Sequence, residues 1–231
     1  MPVAYAAVFD PTEVAEHARI VERRGSHLVH AEIYRNRSGA RVCLVAEDHP
    51  GLLALVTDAL LVHGLSIQSA LVYCRKRSDG KPEAVDFFQL RQSSASGEEA
   101  DIGAPELSAF VQTLSEMVAE DALAAARVSG APVVPRASTR VYFELEALKR
   151  GEFALIVEAR DTHGLLHAIT SALHVQGVRV LASEIRTEAG VAYDRFELVA
   201  YDGETLSAVR LCDIQLAVYT ALPSAARRSR P

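Results

Sequence analysis

Apolar residues along this chain fall into two spacings, and the alternation between them comes twice. Val42-Cys43-Leu44-Val45-Ala46 and Phe153-Ala154-Leu155-Ile156-Val157 are short continuous apolar runs that read as buried strands. Beyond each run the spacing changes to that of one helical face, carried first by Leu52, Leu53, Val56 and Leu60, then by Leu165, Leu166, Ile169 and Leu173. Further strands are predicted over 65–75 and 84–91, and again over 178–188 and 192–200. Ser78-Asp79-Gly80 and Ala189-Gly190 supply the turns between them. Mixed patterning over 106–125 and 205–220 predicts a closing helix in each stretch. A strand is also predicted ahead of each, over 28–35 and 141–145, with Gly39 and Gly151 in or beside the turn that follows, so each pair reads as a hairpin.

The two stretches are copies of one another. Asp48-His49-Pro50-Gly51-Leu52-Leu53 sets against Asp161-Thr162-His163-Gly164-Leu165-Leu166. Without a gap Thr57 then meets Thr170, Ala59 meets Ala172, Leu60 meets Leu173 and Gly64 meets Gly177. Gly64 and Gly177 stand where a helix ends. In front of the first copy, Asp10-Pro11-Thr12-Glu13 is a helix start, with Asp10 the cap, Pro11 the first helical residue and Glu13 the reciprocal acid. The expected organisation is a helix and strand over 1–38, a first module over 39–127, a linker over 128–138 and a second module over 139–222. A basic tail follows over 223–231. Residues 93–104, rich in Ser, Gly and acids, read as a surface loop. The fold class is α+β, with two ferredoxin-like βαββα modules in tandem, each preceded by an extra strand. Val85 and Phe87 place apolar groups on one face of the third strand, Phe88 and Leu90 on the other. The second sheet face is therefore expected to pack against another module or another chain.

Composition narrows the function. The chain has 231 residues, 49% apolar and 23% charged, with a formal net charge of -6, a globular profile without the basic face of a nucleic-acid binder. Arg227, Arg228 and Arg230 read as a solvated tail. A ferredoxin-like RNA-binding module is possible on topology and has Phe87 and Phe88, but lacks basic flanks. No apolar run has the ~20 residues of a membrane span, and no basic start with a hydrophobic stretch opens the chain, so a cytoplasmic protein is expected. Cys43, Cys74 and Cys212 are widely spaced, as in reduced thiols rather than a zinc ribbon or dithiol motif. The eight histidines include His167 and His174, seven apart on one helical face, without a third metal ligand at fitting spacing. No nucleophile–base constellation, P-loop or dinucleotide fingerprint is present, so no catalytic residue and no cofactor is expected.

Strand, Asp-x-x-Gly-Leu-Leu helix, Gly, strand, hairpin, strand and helix, given twice, resembles the ACT domain. More narrowly it resembles the paired C-terminal ACT domains of protein-PII uridylyltransferase/uridylyl-removing enzymes. The residues behind this are Asp48–Leu53 followed by Gly64-Leu65-Ser66-Ile67-Gln68-Ser69-Ala70, and Val85-Asp86-Phe87-Phe88 echoed by Tyr193-Asp194-Arg195-Phe196. Thr139-Arg140-Val141-Tyr142-Phe143 and the helix with Glu16-His17-Ala18-Arg19 add to them. The chain departs from that family in having no Gly-Ser loop with paired acids and no His/His-Asp cluster. The resemblance thus implies a non-catalytic sensor, stand-alone or detached from a longer enzyme. Its implied ligand is a free amino acid, glutamine in that family. The implied associations are a homodimer or module–module packing, and a regulated enzyme or PII-type protein as partner. A ligand-free interaction module is the alternative.

The candidate ligand-binding residues cluster at the two turns: Asp48, His49, Gly51 and Leu52, with Ser66 and Gln68 beside them, and Asp161, Thr162, His163, Gly164 and Leu165. A helix N-terminus presents unpaired N–H groups that favour a carboxylate, and glycine admits a ligand close to the backbone. Gly51 and Gly164 equally suit a sharp turn with no ligand. Asp48 and Asp161 either cap their helices or take a ligand's ammonium. Pro50 lacks the N–H that His163 supplies. Ser66 and Gln68 are replaced by Arg179 and Leu181 in the second copy, so the two sites are not expected to be equivalent.

Overall fold

In this computed structural model, the residues described are 3–36, 39–93, 99–120 and 139–222. Two helices come first, α1 (Val3–Val8) and α2 (Pro11–Arg24). The Asp10 carboxylate accepts from the N–H groups of Thr12 and Glu13 while Glu13 accepts from the Asp10 N–H, so the capping box forms as its sequence predicts. The first copy runs β1 (Val29–Asn36), β2 (Gly39–Glu47), α3 (Leu52–Val62), β3 (Leu65–Lys76), β4 (Pro82–Ser93), β5 (Glu99–Asp101) and α4 (Ala104–Ala119). The second runs β6 (Arg140–Phe143), α5 (Leu145–Lys149), β7 (Phe153–Arg160), α6 (Leu165–Val175), β8 (Val178–Glu188), β9 (Val191–Ala200) and α7 (Ala208–Ala221).

All nine strands of the described residues form one antiparallel sheet, ordered β1-β2-β4-β3-β8-β9-β7-β6, with β5 beside β4. Each half is a ferredoxin-like unit whose outermost strand precedes the rest instead of following it. The halves join edge to edge where β3 runs antiparallel to β8, from Ser69 opposite Arg186 to Tyr73 opposite Ala182. That pairing covers one of the two edges of each unit and leaves β1 and β6 at the ends of the sheet. Helices α3 and α6 cross beside the seam, where the buried Thr57 and Thr170 hydroxyls meet at 2.9 Å. Seven of the eleven α3 residues are buried, because the helix packs between the sheet and its neighbours α4 and α6.

Three expectations need correction. The strand expected over 141–145 stops at Phe143, because Leu145–Lys149, rich in helix formers and with Ala147 fully buried, turns into α5. The expected second hairpin is therefore a strand–helix–strand connection. The segment read as a loop over 93–104 contains β5, held to β4 by backbone pairing and by the Arg91–Asp101 ion pair at 3.2 Å. The second face of the first half is covered not by the second module but by α1 and α2, which bring Tyr5, Phe9 and Ile20 onto Val85, Phe87, Val45 and Tyr73. On the second half the matching positions of β9 are Tyr193, Arg195 and Glu197; Arg186 stacks over the Tyr193 ring, and Arg195 pairs with Glu197 at 2.6 Å. The linker, the basic tail and the end of the helix expected to reach residue 125 lie outside the described residues.

Candidate functional site

Both turns of the repeat lie at the seam. The glycines at the head of α3 and α6 have φ of 85° and 80°, a left-handed conformation that a side chain would strain. Each turn faces the other half of the molecule. The Asp48–Leu52 turn looks onto Val178, Arg179 and Val180 at the start of β8, and Asp161–Leu165 looks onto Leu65, Ser66, Ile67 and Gln68 at the start of β3. Ser66 and Gln68 therefore belong with the turn of the second copy, not with Asp48. Edge-to-edge antiparallel pairing causes the exchange, since it carries the start of each second strand across to the opposite turn.

Neither aspartate caps its helix. No side-chain bond caps α3 or α6, whose N-caps are the glycines themselves. The Asp48 carboxylate instead accepts from the Cys74 thiol at 3.0 Å and lies 3.6 Å from Arg179. Asp161 accepts from the Thr187 hydroxyl at 3.1 Å. Of the two reader candidates, Ser66 is spent on its neighbour strand, its hydroxyl donating to the Arg91 carbonyl at 3.2 Å. Gln68 sits at a bulge where the β3–β4 register slips, and it lines the second cleft. The same slip recurs at Leu181 between β8 and β9.

Below each turn lies an acid that the site prediction missed, Asp86 under the first and Asp194 under the second, 1% and 2% exposed. Each is approached by a backbone N–H of the adjoining strand, from Tyr73 and Arg186, and the Oδ1 of each has no hydrogen-bond partner. Burial pushes the Asp194 carboxyl up to about 8, with the Asp161 charge adding to the effect. Asp86 is raised well above the carboxylate range by burial first and the Asp48 charge second. The signal was available in the repeat, which sets an acid at the same place in both third strands within otherwise apolar runs.

The clefts differ in room. The first encloses about 30 Å³, space for a water or two, and is lined by His174, Arg179 and Tyr201 besides its turn. The second holds about 310 Å³, lined by Asp161, Thr162, His163, Gly164, Leu165 and Gln68, with Asp194 below. Thr162 Oγ1 is buried there without a partner. His49, in the first cleft, turns Nδ1 to the Pro50 carbonyl at 3.1 Å. His167 and His174 share a helix but serve different clefts, His167 lying 3.9 Å from Asp58 and His174 bonding Tyr201 at 2.9 Å. No group of three or more metal-binding side chains lies together among the described residues. No helix there is long and apolar enough to cross a membrane.

No family model matches the chain. It is 28% identical over 224 residues to the bifunctional uridylyltransferase/uridylyl-removing enzyme of Phenylobacterium zucineum, a match covering 91% of this chain and 22% of that enzyme. With the enzyme of the same name from Gluconobacter oxydans it shares 29% identity over 236 residues, covering 96% and 24%. The enzyme from Rhodospirillum rubrum is 26% identical over 204 residues, covering 84% and 21%. The chain is thus similar to one region of these enzymes and spans about a quarter or less of their length.

Proposed function

We propose that this chain is the amino-acid-sensing, non-catalytic regulatory part of a uridylyltransferase-type system, built as an ACT pair and binding glutamine between its halves. The observation that carries the reading is the second cleft. There the N-terminus of α6, which favours a carboxylate, faces the two acids Asp161 and Asp194, which favour an ammonium. A free α-amino acid presents those two charges on one carbon. Gln68, re-aimed by its bulge, supplies an amide able to donate and accept toward a polar side chain. Because the cleft draws on both halves, an occupant would bridge them, which suits a sensor that reports to an attached or associated enzyme. A PII-type protein or the enzyme itself is the partner this reading implies.

Titration calorimetry of the whole chain with L-glutamine, with L-glutamate and glutaric acid as controls, tests the reading. Saturable binding of glutamine, lost with the amine-free diacid, is the expected result. No heat and no thermal shift with any of the twenty amino acids would remove ligand sensing and leave a protein-interaction role.

A further inference from the structure

The two clefts come from one repeated unit, yet the first has about 30 Å³ of room and the second about 310 Å³, and Tyr201 lines the first but not the second. Tyr201 follows directly on β9 and sends its ring across the seam into the first cleft. The backbone N–H of Gly51 faces its hydroxyl oxygen, and the His174 Nδ1 holds that hydroxyl at 2.9 Å. The backbone fixes the base of the side chain as well, because the Tyr201 N–H donates to the Gly177 carbonyl at 2.9 Å. The hydroxyl thus lies at the Gly51 turn, whereas the matching Gly164 turn lines a cleft of about 310 Å³. Arg179 stands beside it, 3.6 Å from Asp48, and supplies a positive charge where the second cleft has none among its lining residues.

The remaining parts of a binding site persist behind the tyrosine. Asp86 is 1% exposed, lines the cleft, and has an Oδ1 with no partner. Burying such a group with nothing to bond costs stability. Its counterpart Asp194 faces open cleft in the same way. Outside the tyrosine lies a second hollow of about 420 Å³, lined by Pro50, Phe153, Val199 and Glu204, whose inner wall is Arg179 and Tyr201. The same two residues line the inner cleft, so both stand between the two spaces.

We propose that the first cleft is a second ligand site held closed by the protein's own Tyr201, whose hydroxyl stands in for the ligand at the Gly51 turn. The chain therefore takes one small zwitterionic ligand rather than two. This rests on the amino-acid reading of the second cleft, and the test separates the two.

Equilibrium dialysis with L-glutamine, run on the wild-type chain, Tyr201→Ala and Tyr201→Phe, counts the bound equivalents. One equivalent is expected for the wild type, two for Tyr201→Ala, and one for Tyr201→Phe, which keeps the ring in the opening. Adding Asp86→Asn to Tyr201→Ala should remove the gained equivalent and leave the other, whereas Asp194→Asn should remove the wild-type equivalent. If Tyr201→Ala fails to fold by circular dichroism, Tyr201→Ser provides the same opening with a hydroxyl too short to reach the turn. Two equivalents in the wild type, or a single one in the opened variants, would overturn the closed-site proposal while sparing the second cleft. None in the wild type but one in Tyr201→Ala would support the closed site and sink the reading of the open one. None in any protein would end both.

Discussion

Asp86 and Asp194 are held in the sheet with one oxygen unpartnered, at a cost that a buried polar group normally avoids. For Asp194 the cost can be followed through pH. Its folded value of about 8 stands above the 3.8 of a free carboxyl, so the folded chain keeps a proton that the unfolded chain releases between those values. Stability from this group is fully present below pH 3.8 and is lost as pH rises toward 8. Asp194→Asn removes the loss, and should raise stability at pH 7 by roughly 1–3 kcal/mol with little gain at pH 4. Urea unfolding at the two pH values measures it. The same change should weaken glutamine binding at least tenfold, because the ammonium loses a partner. In the native chain, binding an ammonium there should release a proton, so affinity should climb from pH 6 to 8. Calorimetry in buffers of different ionisation heat reads the proton directly. Gly51, Gly164, Asp48 and Asp161 were legible in the repeat, since each stands at the same offset in both copies. The partners of these residues were not. Which strand start faces which turn depends on β3 meeting β8, a contact between residues more than a hundred positions apart, such as Tyr73 and Ala182.

At the scale of elements, the strands and the pairs of helices followed from periodicity, while the misreadings came where local composition was overridden or ignored. Residues 145–149 have helix propensity that the strand ahead of them masked, and β5 is a three-residue strand kept by its pairing with β4, not by any pattern of its own. Of the two N-terminal helices only α2 is legible from its capping signal, and neither is legible as the cover of the first sheet face. A buried ion pair holds α2 there. The Arg24 Nη1 donates to the Glu83 Oε1 at 2.9 Å, and the Arg75 Nε to the Oε2 at 2.7 Å, with Arg24 4% and Glu83 2% exposed. Glu83→Ala strands a buried guanidinium and should cost about 3–5 kcal/mol, with hydrogen exchange rising in α2 ahead of β2 and β4. Equal exchange across all three would show that α2 is not held separately. His17 makes the same cover sensitive to acid. Its ring lies 4.2 Å from that of Phe87 by centroids, its Nδ1 is 2.8 Å from the Tyr5 hydroxyl, and burial lowers its pKa to about 4. The unfolded chain takes up this proton near pH 6.5, so stability present above that value is lost as pH falls toward 4, by roughly 2–3 kcal/mol. His17→Phe should flatten the fall over that window, and an unchanged slope in acid unfolding curves would refute it.

At the scale of the whole molecule, the sheet makes one cooperative body out of two copies. Each half covers one edge of the other, since β3 and β8 pair with each other, and the Thr57–Thr170 contact closes the helical layer over the seam. Separating the halves would expose the lining of both clefts together with the α3–α6 contact, so partial unfolding gains little entropy for the apolar surface it uncovers. Thermal unfolding should therefore show one transition, with calorimetric and van't Hoff enthalpies equal. A ligand in the second cleft would touch α6 from one copy and the start of β3 from the other, and its binding energy would be shared by that single transition. At a free concentration 100-fold above Kd it should add about 2.7 kcal/mol, and slow hydrogen exchange at both β3 and α6. Two transitions, only the later of which moves with glutamine, would mean that the seam is weak and that one half alone holds the ligand. A single transition that shifts, with protection on both sides of the seam, would make the junction of the copies the element through which occupancy is felt.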